Sequence, residues 1–103
     1  MSEYCYVLIA MPSKNEADQI SKKLIEKRLV AGSIIFRGDT RYWWKGEIVE
    51  EPYWNINAWS LIKKKEDIIK EVKKLHSDEV PVIAFFSLDG NNEFLEWIEK
   101  EVV

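Results

Sequence analysis

A chain of 103 residues and 12.2 kDa is the size of one domain. By surface scaling about two-thirds of its unfolded surface is buried on folding, enough for a core without disulfides or a metal. Hydrophobic residues at 47% and charged residues at 32% exclude disordered and low-complexity classes, and a net charge of −3 argues against a general nucleic-acid binder. Five tryptophans, four tyrosines and four phenylalanines are more large rings than so small an interior needs. Some of them are expected to cover something else.

The continuous apolar stretch from Tyr4 to Met11, closed by Pro12, predicts a strand buried on both faces. Ser13 and Glu16 then form a capping box, with Ser13 as the N-cap and Glu16 reaching back to its amide. Ala17, Ile20, Leu24 and Ile25 share one stripe of the helix that follows, with Glu16, Lys22, Lys23, Glu26 and Lys27 opposite. Gly32 is expected to terminate it. Ser33 to Phe36 reads as a strand, Gly38-Asp39 as a turn, and Tyr42-Trp43-Trp44 as a strand resumed. Lys45-Gly46 marks a tight turn before Glu47-Ile48-Val49.

From Tyr53 to Ser60 the residues alternate, with Trp54, Ile56, Ala58 and Ser60 on one face and Tyr53, Asn55, Asn57 and Trp59 on the other. Pro52 at the start of this strand needs a place where no ladder donor is required. Ser60 is expected to cap a second helix whose apolar side carries Leu61, Ile68, Ile69, Val72, Leu75 and His76. Val80 to Leu88 reads as another central strand, Asp89-Gly90-Asn91 as a turn, and Asn91 or Asn92 as the cap of a short last helix bearing Phe94, Leu95, Trp97 and Ile98.

The order β-α-β-β-α-β plus a terminal helix predicts an α+β, ferredoxin-like sandwich with an aromatic hairpin, all in a single domain over residues 1–103. Both main helices are expected on one face of a four-stranded antiparallel sheet, with the two continuous apolar runs at its centre and the other face bare. A bare, aromatic-rich face predicts an oligomer or ligand surface. Tyr42, Trp43, Trp44, Trp54 and Trp59 are the interface candidates, since aromatics concentrate at interface cores.

Chemistry-bearing motifs are sparse. His76 falls at the end of the second helix, where imidazole suits terminal carbonyls; alternatively, His76, Asp78 and Glu79 offer N/O ligands to a transition metal. Cys5 reads as an inert core thiol. Lys63-Lys64-Lys65 is balanced by Glu66, Asp67 and Glu71 and reads as a solvated helix face. There is no phosphate loop, no nucleophile elbow and no His-Glu-x-x-His, so no enzyme is expected. With one cysteine, no leader pattern and no apolar run near the ~20 residues of a membrane helix, a soluble cytoplasmic protein is expected.

The stretches Glu26-Lys27-Arg28-Leu29-Val30-Ala31, Tyr42-Trp43-Trp44-Lys45-Gly46-Glu47-Ile48, Leu75-His76 with Glu79-Val80-Pro81, and Gly90-Asn91 through Phe94-Leu95-Glu96-Trp97-Ile98 carry a resemblance. Through them the chain resembles the CutA divalent-cation tolerance family over almost its whole length. The resemblance implies a ferredoxin-like subunit in a tight homotrimer, similar in architecture to the PII signalling proteins. It also implies divalent metal binding, notably copper, and no established catalysis.

The sequence departs from the family at three places. The family's Ala-Cys is Ala31-Gly32 here, its His-Pro-Tyr-Glu-Val-Pro is His76-Ser77-Asp78-Glu79-Val80-Pro81, and a common lysine is replaced by Trp59. Copper(I) favours soft ligands, so loss of that cysteine leaves His76, Asp78 and Glu79 as harder candidates for copper or zinc. No cofactor is required on this reading. The expected partners are copies of the chain and a metal ion or small ligand in an inter-subunit cleft, with neither nucleic acid nor membrane. A PII-like adaptor trimer without a metal site is the alternative.

Overall fold

The computed structural model describes residues 3–103. In chain order the elements are β1 (Tyr4–Met11), α1 (Lys14–Glu26), β2 (Gly32–Trp44), β3 (Glu47–Leu61), a short 3-10 turn (Ile62–Lys64), α2 (Lys65–Leu75), β4 (Val82–Ser87) and α3 (Asn92–Glu101). The strands form one antiparallel sheet in the order β2-β3-β1-β4. This is the ferredoxin-like α+β arrangement the element order predicts.

Alternation fixes which side of the sheet is covered. Cys5, Val7 and Ile9 of β1 and Ile56 and Ala58 of β3 join Ala17, Ile20 and Leu24 of α1 and Ile68 and Val72 of α2 in the main core. β4 lies at an edge rather than at the centre as expected. Its strand begins only after Pro81, and Val82 and Phe86 on its outer side remain exposed. A continuous apolar run therefore marks two apolar faces and not a central position.

Several turns resolve differently from the local signals. Gly38-Asp39 makes no turn, because both residues pair within β2 against Tyr53 and Pro52. Pro52 lies beyond Trp54, where β1 pairing stops, so one side of β3 is open there and a missing donor is tolerated. Lys45 and Gly46 do form the hairpin turn, both at positive φ (49° and 82°), the two-residue pattern that matches strand twist.

α1 is stopped by Arg28, just past its C-cap Lys27, and not by Gly32. Arg28 takes the left-handed position at φ 55°, its N–H donating to Ile25 O and that of Leu29 to Leu24 O, each at 3.0 Å. Ser60 stays in β3, where its hydroxyl donates to Leu29 O at 2.5 Å; α2 has no side-chain cap and is entered through the 3-10 turn instead.

The second face of the sheet is only partly bare. α3 folds over one end of it, packing Ile98, Phe94 and Leu95 against Tyr4, Trp59 and Leu61. The remainder, together with the projecting hairpin, leaves Ile34, Phe36, Trp43, Ile48, Val82 and Phe86 exposed.

Candidate functional site

A cleft opens between the β2–β3 hairpin and the segment that joins α2 to β4. Tyr42, Trp43, Trp44 and Tyr53 supply aromatic walls, Ala10 the floor, and Ser77, Asp78, Glu79 and Val80 the opposite side, around about 690 Å³. That volume lies within the range of small-molecule sites, about 300–1,000 Å³.

His76 positions the whole segment. It closes α2, donating its backbone N–H to Val72 O. Its Nε2 lies 2.6 Å from Ala10 O, and the Asp78 N–H reaches its Nδ1 at 3.1 Å. A carbonyl only accepts and an amide N–H only donates, so in this arrangement Nε2 faces an acceptor and Nδ1 a donor. Glu16 adds a second tether. Its Oε2 accepts from the Ser13 hydroxyl at 3.1 Å, while Ser13 Oγ accepts from the Glu16 N–H at 3.2 Å. The other carboxylate oxygen does not return to the Ser13 amide, as a capping box would have it, but accepts from the Ser77 N–H at 2.7 Å. Burial works to raise the Glu16 pKa; the hydrogen bonds from Ser77 and Ser13 outweigh it and hold the carboxyl below its usual value.

Tyr53 joins the two walls. Its hydroxyl donates to Asp78 Oδ2 at 2.6 Å, and its ring meets Tyr42 edge-on with centroids 6.0 Å apart. Burial, then the hydrogen bond to Asp78, pushes the Tyr53 hydroxyl pKa well above its usual value. Tyr42 donates to Glu51 at 2.6 Å, which raises its own pKa. At the rim Lys45 Nζ lies 3.7 Å from Glu79, an exposed pair worth little by itself.

The three expected metal ligands therefore lie in one segment but not around one point. His76 has no free lone pair, Asp78 is bonded to Tyr53, and Glu79 points to Lys45. Among the described residues no three His, Cys, Asp or Glu side chains gather as a metal site. Within one subunit these residues do not fit a bound metal ion, and His76 acts as a positioning residue.

The five expected interface aromatics also divide. Tyr42 and Trp44 line the cleft and Trp43 stands 72% exposed. Trp54 packs on the helix side against the main core, with the Arg37 guanidinium 5.9 Å from its ring centroid. Trp59 is held by α3, edge-on to Phe94 at 5.8 Å and tilted to Trp97 at 6.3 Å. These two rings are accounted for by their own chain, because alternation sends Trp54 under the helices and α3 reaches Trp59 from the other side. Tyr53 and Glu16 were missed as site residues. Their partners lie 25 and 61 residues away, and no local pattern announces such contacts.

The sequence matches the family described as CutA1 divalent ion tolerance protein across residues 5–101. The chain belongs to this family. It is 35% identical over 100 residues to the divalent-cation tolerance protein CutA of Thermotoga maritima, covering 94% of this chain and 97% of that protein. The Archaeoglobus fulgidus CutA is 34% identical over 98 residues, covering 94% and 96%. Among solved structures, the A. fulgidus protein, described as a periplasmic divalent cation tolerance protein, superposes with a TM-score of 0.94 at 33% identity, covering 97% of this chain and 99% of that one. The Thermus thermophilus Cut A1 gives 0.93 at 31% identity, covering 97% and 99%. The CutA fold thus extends over nearly all of this chain, the hairpin and the segment after α2 included. No helix among the described residues is long and apolar enough to cross a membrane.

Proposed function

We propose that this protein is a non-enzymatic CutA homotrimer that contributes to divalent-cation tolerance by taking up a copper or zinc ion as cargo in the cleft beside the hairpin. The observation that carries this reading is the placement of Asp78 and Glu79 on one wall of an aromatic cleft in a chain of this family. Asp78 has no lysine or arginine paired with it among the described residues, so its charge is available to a cation. Carboxylates are hard donors, suited to copper(II) or zinc(II) rather than copper(I), and a neighbouring subunit supplies the remaining ligands. His76 holds Asp78 in place and does not ligate. A nucleophile–base pair is not available to the cleft through His76, whose two ring nitrogens are both engaged.

Calorimetric titration of copper(II) and zinc(II) into the wild type and the Asp78→Asn, Glu79→Gln double variant tests the reading. The expected result is at least tenfold weaker binding in the variant with the fold intact; equal binding overturns the carboxylate assignment. The proposed location is cytoplasmic, on the strength of the single unpaired Cys5. Cell fractionation checks this, with the A. fulgidus relative's periplasmic description as the competing outcome.

A further inference from the structure

The cleft beside the hairpin encloses about 690 Å³ between the rings of Tyr42, Trp43, Trp44 and Tyr53, far more than a metal ion fills. Its polar groups are already committed in an uneven way. The hydroxyls of Thr40 and Tyr42 both donate to Glu51, and that of Tyr53 donates to Asp78. Arg41 is paired with Glu50, and Lys45 with Glu79. Asp78 has no lysine or arginine at ion-pair distance among the described residues. The walls therefore offer an anion few free donors and carry one carboxylate that no cation of the chain neutralises.

The chain itself places an ammonium at the rim. Lys45 Nζ lies 5.5 Å from the centroid of the Trp44 ring and 3.7 Å from Glu79. A ring face beside a carboxylate is the arrangement that recognises an organic cation. The ring quadrupole attracts the charge, indole most strongly, while the carboxylate rejects neutral and anionic competitors. Lys45 is fixed to the hairpin turn with its side chain 72% exposed, so its ammonium covers the rim and does not fill the cleft. A free ligand with a positive charge and an apolar body would use the rings and Asp78 together. Neither a bare metal ion nor a neutral hydrocarbon does both.

We propose that this cleft binds an organic ammonium, a protonated primary amine on an apolar body, with the body among the rings of Tyr42, Trp44 and Tyr53 and the charge on Asp78. Lys45 is its internal competitor at the rim. The proposal goes beyond the metal reading and does not depend on it.

Calorimetric titration of the full-length protein with phenethylamine at neutral pH, with EDTA present throughout, tests it. Hydrocinnamate and phenylpropanol, an anion and a neutral alcohol of similar shape, are the comparison probes. The amine is expected to bind at least tenfold more tightly than either. Asp78→Asn keeps an acceptor for the Tyr53 hydroxyl and is expected to abolish that preference. Trp44→Leu is expected to weaken the amine at least fivefold, and carries the test if Asp78→Asn does not fold. Lys45→Asn keeps the turn, because Asn-Gly suits its two positive φ values, and is expected to bind the amine at least threefold more tightly. Equal binding of the three probes, or a preference that survives Asp78→Asn, overturns the proposal. So does the absence of amine binding, the result expected if another copy of the chain fills the cleft. Unchanged affinity in Lys45→Asn overturns the role of Lys45. Copper(II) binding without amine binding overturns this proposal alone, and amine binding without metal binding overturns the metal reading alone.

Discussion

Gly32 and Trp59 are cross-strand partners, and a side chain at Gly32 would occupy the space that the Trp59 ring fills. A Cβ built there would lie 2.9 Å from Trp59 Cζ3 and 2.9 Å from Trp97 Cη2. The ring that α3 clamps is admitted by the absence of a side chain at Gly32.

Gly32→Cys is accordingly expected to destabilise the protein by about 1–3 kcal/mol through overpacking. In the Trp59→Leu background the same substitution is expected to cost less, since residues in contact couple. Urea unfolding of the four proteins of this cycle measures the coupling, and additive effects would contradict the clash.

His76→Ala is expected to lower stability by roughly 1–3 kcal/mol, because it leaves Ala10 O and the Asp78 N–H without their partner in a half-buried setting. Hydrogen exchange should show faster exchange at Asp78 in particular. An unchanged Asp78 amide would show that the imidazole does not hold the segment.

The tether through Glu16 gives a pH dependence with a definite sign. Its carboxyl pKa is lowered on folding below the ordinary 4.5, so its contribution is fully present above that value and is lost as pH falls below it, through the folded pKa. Glu71, lowered chiefly by its hydrogen bond from Lys27, acts in the same direction. The urea midpoint should fall below about pH 4.5, and Glu16→Gln should flatten that fall. A variant with the wild-type slope would remove Glu16 from the account.

Cys5 is wholly buried, and burial pushes its thiol pKa up to about 11. A thiol reagent at pH 8 is expected to leave it unmodified in the native protein and to modify it fully in denaturant. Rapid native labelling would mean that the strand opens far more readily than its central position allows.

Trp43 and Trp44 at the projecting hairpin are the rings that their own chain covers least well among the five expected at an interface. Trp43→Ala is expected to leave the monomer fold unchanged by circular dichroism and to weaken trimer assembly, measured by light scattering against concentration. Trp54→Ala, by contrast, should unfold the subunit more easily, at a cost below the about 3–5 kcal/mol of a fully buried ring because Trp54 is only partly buried.

The sequence by itself determined the element order, the α1 N-cap at Ser13, the hairpin turn at Lys45-Gly46 and the faces of β3, because each depends on neighbours within a few residues. It also carried the family. Only the tertiary structure decided that β4 lies at the edge, that α3 crosses to the face opposite α1 and α2, that Ser60 stays in β3 while a 3-10 turn leads into α2, and that Arg28 rather than Gly32 stops α1. The same holds for the site. His76 to Ala10, Glu16 to Ser77 and Tyr53 to Asp78 span 66, 61 and 25 residues, and such pairs follow from strand order and register rather than from any local pattern. The surplus of aromatic rings was plain in the composition, but its division was not. Trp54 packs under α1 and α2 and Trp59 under α3, each partly buried, while Tyr42, Trp43 and Trp44 line the cleft, because alternation gives each ring a side and only the packed helices decide which side is filled.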